Sequence, residues 1–260
     1  MKTKKTRSPL DRATPLRAAG QSLSEEFDDV AYDHILTPML LAIFMAIVAL
    51  LEWIKYTFDS KPNPIIYTAF AVIVAVYAAL KVWRTRKRLA QIRLGRDGER
   101  VVAQHLEWFR TANFFVFHDV PSGDANVDHV LIGPRGIFTI ETKTHSKPLR
   151  GECKVSVVGG VVRANGHVLD RNPIVQAKAQ AGWLRTFLAE SRFDVRVWPV
   201  VVFPGWFVEP FDSKAVGAWV LEVKALNKFI ENEPERHSRE EVKAMASALS
   251  SYIRVQLERK

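Results

Sequence analysis

The 260-residue sequence contains one cysteine, Cys153. A single thiol excludes an internal disulfide framework, a Cys-rich zinc site and a Cys-ligated iron–sulfur cluster. With no histidine adjacent to it, Cys153 reads as an inert thiol. The G-x-x-x-x-G-K-[ST] loop is missing, which excludes an ATP motor of that type. H-E-x-x-H and H-x-x-x-H are missing too, so His118, His129 and His145 make no helical metal pair. Gly95, Gly98 and Gly136 form no dinucleotide fingerprint and read as turn residues. No internal repeat or low-complexity tract appears.

Charge is missing from two long stretches. Residues 35–51 and 62–80 carry none. As a helix the second would be about 28 Å long, enough for a bilayer core. Trp53, Tyr56, Tyr67, Tyr77 and Trp83 lie near the ends, where amphipathic rings favour the interface. Both stretches are apolar all round, which argues for spanning helices over core helices. The first starts late, behind the acids Glu25, Glu26, Asp28, Asp29 and Asp33, and lacks a small-residue cleavage site. It therefore reads as a retained helix, not a signal peptide.

The net charge of +9 is concentrated. Residues 81–100 hold eight Lys/Arg and two acids, a collar directly after the second apolar run. Residues 101–260 hold 21 Lys/Arg and 18 acids, so little of their surface suits coating nucleic acid. By the positive-inside rule the collar stays cytoplasmic, and two spans return the N-terminus to that side. The expected organisation is a flexible cytoplasmic tail over 1–34, loosest in its first 24 residues, a transmembrane hairpin over 35–85 around a connector at 57–61, and a cytoplasmic domain over 86–260. The expected location is a bacterial inner membrane, with both termini cytoplasmic.

The 86–260 region reads as α/β. A helix is expected over 91–112, with Val102, Leu106 and Phe109 at helical spacing. Strands follow at 114–120, 127–132 and 137–143, with PSGDAN as a loop and GPRG as a turn. Short strands continue at 152–158 and 160–168. Asn172–Pro173 reads as a helix cap followed by proline at the first helical position, opening a helix to about Glu190. Strands at 195–203 and 215–223 and helices at 223–231 and 239–257 complete one α/β sandwich with a mixed sheet.

The hairpin carries the chemistry. If GPRG is a four-residue loop, Ile132 faces Ile137, Val130 faces Thr139 and Asp128 faces Glu141. Strand period puts Glu141 and Lys143 on one face, whereas His129 alternates away from Asp128 and packs behind the hairpin. Two carboxylates in a cross-strand pair repel, and a hard divalent cation between them reverses the sign. Metal plus lysine is equipment for phosphodiester hydrolysis. Charged residues on a solvated strand face would give the same spacing. Two further residues add weight. Glu99 shares a helix face with Val102, Leu106 and Phe109, where a carboxylate needs a partner. Gln176 lies in line with Gln180, Trp183, Leu184 and Phe187, at the start of a helix aimed towards the site.

GRDGERVVAQHL, NVDHVLIGPRGIFTIETKTHSKPLRG and NPIVQAKAQAGWL, in this order, resemble the nuclease-related (NERD) domain over roughly 95–190. That family resembles the larger PD-(D/E)xK restriction-endonuclease-like superfamily. The resemblance implies a restriction-endonuclease-like mixed sheet flanked by helices. It implies a catalytic core of Asp128, Glu141 and Lys143, with Glu99 as the helix acid and Gln176 as the trailing glutamine. Asp128, Glu141 and Glu99 would hold Mg²⁺, or Mn²⁺. Val127 stands where the superfamily's name has proline. The expected function is a membrane-anchored, metal-dependent nuclease acting on DNA ahead of RNA. The alternative is a tethered nucleic-acid-binding or scaffolding protein on a nuclease-like fold, without catalysis.

Overall fold

The computed structural model describes residues 16–58, 63–123, 125–147 and 152–258, and part of the expected 57–61 connector lies outside them. The chain divides into two compact units, residues 22–94 and a discontinuous unit of 1–21 with 95–260. Residues N-terminal to the apolar runs share a unit with residues C-terminal to them.

The 22–94 unit is helical. α1 (Gln21–Ala31) passes through a π-helical turn (Tyr32–Leu36) into α2 (Thr37–Thr57), and the chain returns in α3 (Pro64–Leu106). The tie points are antiparallel. Trp53 Nε1 donates to Thr68 Oγ1 at 2.9 Å, Lys81 Nζ to the Asp33 carbonyl at 3.0 Å, and Arg88 Nη2 to Glu26 Oε1 at 2.8 Å. Apolar side chains on α2 and early α3, among them Phe44, Leu50, Phe70 and Ile73, are exposed. Among the described residues, two helical stretches are long and apolar enough to cross a membrane.

The expected break between the second apolar run and the 91–112 helix does not exist. α3 runs through both, and only α4 (Trp108–Thr111) is separate. No proline interrupts this stretch, and Gly95 and Gly98 lie inside the helix instead of in turns. A lone glycine costs a helix only about 1 kcal/mol relative to alanine, too little to stop a helix held by tertiary contacts.

The strands of the larger unit are β1 (Phe115–Ser122), β2 (Ala125–Gly133), β3 (Gly136–Thr142), β4 (Lys154–Val158), β5 (Val161–Ala164), β6 (His167–Val168), β7 (Val197–Val202), β8 (Phe207–Val208) and β9 (Trp219–Leu221). Its later helices are α5 (Pro173–Glu190), α6 (Ser213–Val216), α7 (Leu226–Glu231, behind a 3₁₀ turn at Val223–Ala225) and α8 (Arg239–Glu258). Five strands form a mixed sheet in the order β1-β2-β3-β7-β9, with β1-β2-β3 antiparallel and β7 and β9 parallel to β3. The short strands do not join it. They make a second sheet, β6-β5-β4-β8, so the single-sheet expectation is corrected. PSGDAN is also mostly strand, because β1 and β2 pair as far as Ser122 and Ala125.

Strand alternation sorts the core onto two faces. Leu131, Phe138, Ile140 and Val200 pack with Val102, Leu106 and Phe109. Val130, Ile132 and Ile137 pack with Leu184 and Leu188 of α5 and with Met245 and Leu249 of α8. By that alternation Asp128 and Glu141 sit on the α5 side of the sheet.

Candidate active site

The hairpin register is the one the sequence predicts. Ile132 pairs with Ile137, Val130 with Thr139 and His129 with Ile140. Beyond that pair the ladder gives way to a side-chain contact, in which Asp128 Oδ2 accepts the Thr142 backbone N–H at 2.7 Å. Glu141 is 2% exposed, and both of its oxygens are held. Oε1 lies 2.6 Å from Lys143 Nζ, and Oε2 accepts from Gln180 Nε2 at 2.6 Å. Lys143 lies one residue past β3, with its backbone N–H donating to the Val202 carbonyl at 2.9 Å. Its Nζ also donates to Gln176 Oε1 at 3.0 Å.

α5 supplies both glutamines because its start is fixed. The Asn172 side chain accepts the Ile174 N–H at 3.0 Å, and Pro173 begins the helix. Four residues apart, Gln176 and Gln180 project from one face. The sequence reading gave Gln176 the task of orienting water or phosphate. In the structure it fixes the lysine, and Gln180 fixes the acid.

Glu99 completes the group from α3. Its carboxyl is pushed up to about 7, first by burial, then by the charges of Asp119 and Glu141, against a hydrogen bond from the Gly20 backbone N–H. Asp128 is raised well above the usual carboxylate range by burial and by the charges of Glu141 and Glu99. The Thr142 N–H and the Lys143 charge oppose that rise. These acids are near enough to perturb one another, yet among the described residues no three His, Cys, Asp or Glu side chains form a ready-made metal cage.

Asp119 was missed by the sequence reading. It is 3% exposed, ion-paired to Arg17 at 2.8 Å, and accepts from Asn126 Nδ2 at 2.8 Å. Its φ of +50° is rare for a residue with a side chain. The β1–β2 register places it opposite Asp128, where the ladder skips a pair. Carrying the hairpin count one strand further would have found it. Arg17 had no such signal, because the whole apolar region separates it from its partner.

The histidines are not at the acids. His129 is fully buried behind the hairpin, with its Nδ1 2.9 Å from His118 Nδ1. Burial and the His118 charge hold it well below the usual imidazole range. His145 stacks on Phe203, with ring centroids 6.2 Å apart.

Gly98 brings α3 against the residue after the lysine. A Cβ there would lie 1.7 Å from Thr144 Oγ1. We expect Gly98→Ala to destabilise the larger unit by about 1–3 kcal/mol, the usual cost of overpacking. Thermal melts check this, and an unchanged midpoint would mean the Gly98–Thr144 approach is looser than described.

Residues 94–204 match the family described as the nuclease-related domain. No curated protein and no solved structure matches the chain.

Proposed function

We propose that the chain is a membrane-anchored, divalent-metal-dependent nuclease that hydrolyses phosphodiester bonds, in DNA ahead of RNA. The observation that carries this reading is Lys143 held between Glu141 and Gln176, with Asp128 on the neighbouring strand. The nuclease-related match spans these residues, and the likeness to the PD-(D/E)xK superfamily belongs to the same proposal.

The donor set fits a hard cation. Glu99, Asp119, Asp128 and Glu141 are four carboxylates, and Arg17 and Lys143 are the cations paired or interacting with them. Counted over these six groups with every acid ionised, the net charge is −2, which a divalent cation would offset. Asp128 and Glu141, with Glu99 beside them, would hold Mg²⁺ or Mn²⁺, which binds through one or two carboxylates and keeps several waters. Bound there, the ion supplies Lewis-acid stabilisation and a water of lowered pKa. The protein's own contribution is positional. Gln180 orients Glu141, Gln176 orients the Lys143 ammonium, and that ammonium holds the attacking water or neutralises a phosphate oxygen.

Membrane anchorage is supported by the exposed apolar side chains of α2 and early α3, a surface that needs lipid or a partner. Two crossings return the chain to the side it left, in keeping with the Arg17–Asp119 ion pair inside one unit. The basic collar assigns that side to the cytoplasm.

The non-catalytic alternative has one observation in its favour: Glu141 Oε1 is held by Lys143. Full-length protein in detergent, given single- and double-stranded DNA and RNA with and without Mg²⁺, separates the two. Mg²⁺-dependent cleavage, faster on DNA, is expected. Binding without cleavage of any substrate would favour the tethered binding protein.

A further inference from the structure

The residues just before α1 were expected to be a loose tail. Instead Arg17 is 4% exposed and its partner Asp119 is 3% exposed. A buried guanidinium is costly unless its partner is firmly placed. Asp119 is so placed, since its second oxygen takes Asn126 Nδ2. The Asn126 carbonyl accepts from Gln180 Nε2 at 3.4 Å, and the same nitrogen donates to Glu141. A polar chain thus runs from Arg17 to the buried acid of the hairpin.

The same segment reaches the site a second time, through the Gly20 N–H on the Glu99 carboxyl. Gly20 has φ +67°, and a Cβ there would lie 3.0 Å from Arg96 Cγ and 3.3 Å from the Arg96 carbonyl oxygen. Only glycine suits that conformation and that approach. Leu16 packs against the core shared by α5 and α8, anchoring the far end of the segment.

We infer that residues 16–20 form a strap that completes the acid site, with Arg17 as its positioning residue, acting through Asp119, Asn126 and Gln180 on Glu141. The strap also sets the Arg17 guanidinium against Asp119, whose charge acts on Glu99. The catalytic unit is therefore assembled from both flanks of the apolar helices. This inference rests on the nuclease reading for its catalytic consequence but not for its effect on cation binding.

The test uses the full-length chain carrying Arg17→Gln, Arg17→Lys or Asn126→Leu. Mg²⁺ affinity is measured by calorimetry, and kcat and KM by cleavage. Removing an outer partner of a metal-binding group typically costs about 10–100-fold in affinity or activity, and that loss is expected for Arg17→Gln in Mg²⁺ affinity and kcat. KM for nucleic acid should stay within about twofold, because Arg17 is only 4% exposed. Arg17→Lys should recover part of the loss. Should Arg17→Gln fail to fold, Asn126→Leu carries the test, because it removes the Nδ2 link to Asp119 while every carboxylate keeps its charge. If the foldable variants keep wild-type Mg²⁺ affinity and kcat and lose only thermal stability, Arg17 is a structural pin and the inference is overturned. If no form of the protein cleaves, the nuclease reading fails alone, and Mg²⁺ affinity still decides the strap.

Discussion

Lys143→Ala should reduce the rate of phosphodiester cleavage by about 10²–10³-fold, the usual cost of removing one preorganised charge from developing transition-state charge. Lys143 makes two contacts of its own, to Glu141 Oε1 and Gln176 Oε1, and ligates nothing. Its removal frees a carboxylate oxygen, so Mg²⁺ affinity should hold or rise. The loss should fall on kcat, because an ammonium that acts on the reacting phosphate contributes more in the transition state than in the ground state. Gln176→Leu should show a smaller effect of the same kind, since it loosens the lysine without removing it. Single-turnover cleavage with calorimetry of Mg²⁺ binding separates the two quantities. A Lys143→Ala protein cleaving at the wild-type rate would remove the lysine from the mechanism. One that lost cation binding would mean the lysine supports the acids instead of the chemistry.

The second large effect concerns stability. Glu99 is raised from an ordinary 4.5 to about 7, and Asp128 is also raised. A carboxyl whose folded pKa exceeds its unfolded pKa binds its proton more tightly when folded. Its contribution is therefore present at low pH and is lost as pH rises from the unfolded value through the folded one. For Glu99 that window is about pH 4.5–7, and the loss is on the order of 3 kcal/mol. Glu99 should thus lower the melting temperature of the metal-free protein at pH 8 relative to pH 5, a drop that Glu99→Gln removes and that the depressed His129 opposes. Mg²⁺ should reverse this at pH 8. A ligand bound only to the folded state at a hundredfold excess over Kd adds about 2.7 kcal/mol, or about 5–10 °C for a unit of this size.

Asp128→Asn should behave in the opposite way. An Asn side-chain oxygen can still accept the Thr142 N–H, so the fold is kept while the repulsion is removed. The metal-free variant should melt above wild type at pH 8, and its response to Mg²⁺ should largely disappear. Melts of both proteins at the two pH values, with and without Mg²⁺, check this. Equal Mg²⁺ shifts in the two would place the cation elsewhere.

What the sequence revealed was local. The hairpin register followed from strand period and a short turn, and it placed Asp128, Glu141 and Lys143 together. Asn172–Pro173 marked the start of α5, because the cap and the missing N–H of proline are local chemistry. What it concealed was long-range. Gly98 of α3 looked like a break because its purpose, the close approach of Thr144, lies 46 residues downstream. The strands at 154–158 and 161–164 looked like members of the main sheet, since pairing with β8 leaves no trace in their own alternation. Gln180 reads from the sequence only as the polar neighbour of Gln176 on the helix face, because its partner is a buried acid on another element. The Arg17–Asp119 pair spans a separation that no periodicity reports.

The most direct test of the central claim is a Mg²⁺ titration of DNA cleavage by the full-length protein beside its Asp128→Asn form, purified identically. Wild type should cleave with a saturable dependence on Mg²⁺ and stop when the ion is chelated, while Asp128→Asn stays inactive across the same range. Wild-type cleavage that persists under chelation, or an Asp128→Asn protein that cleaves equally, would contradict the assignment of metal-dependent hydrolysis to this acid cluster.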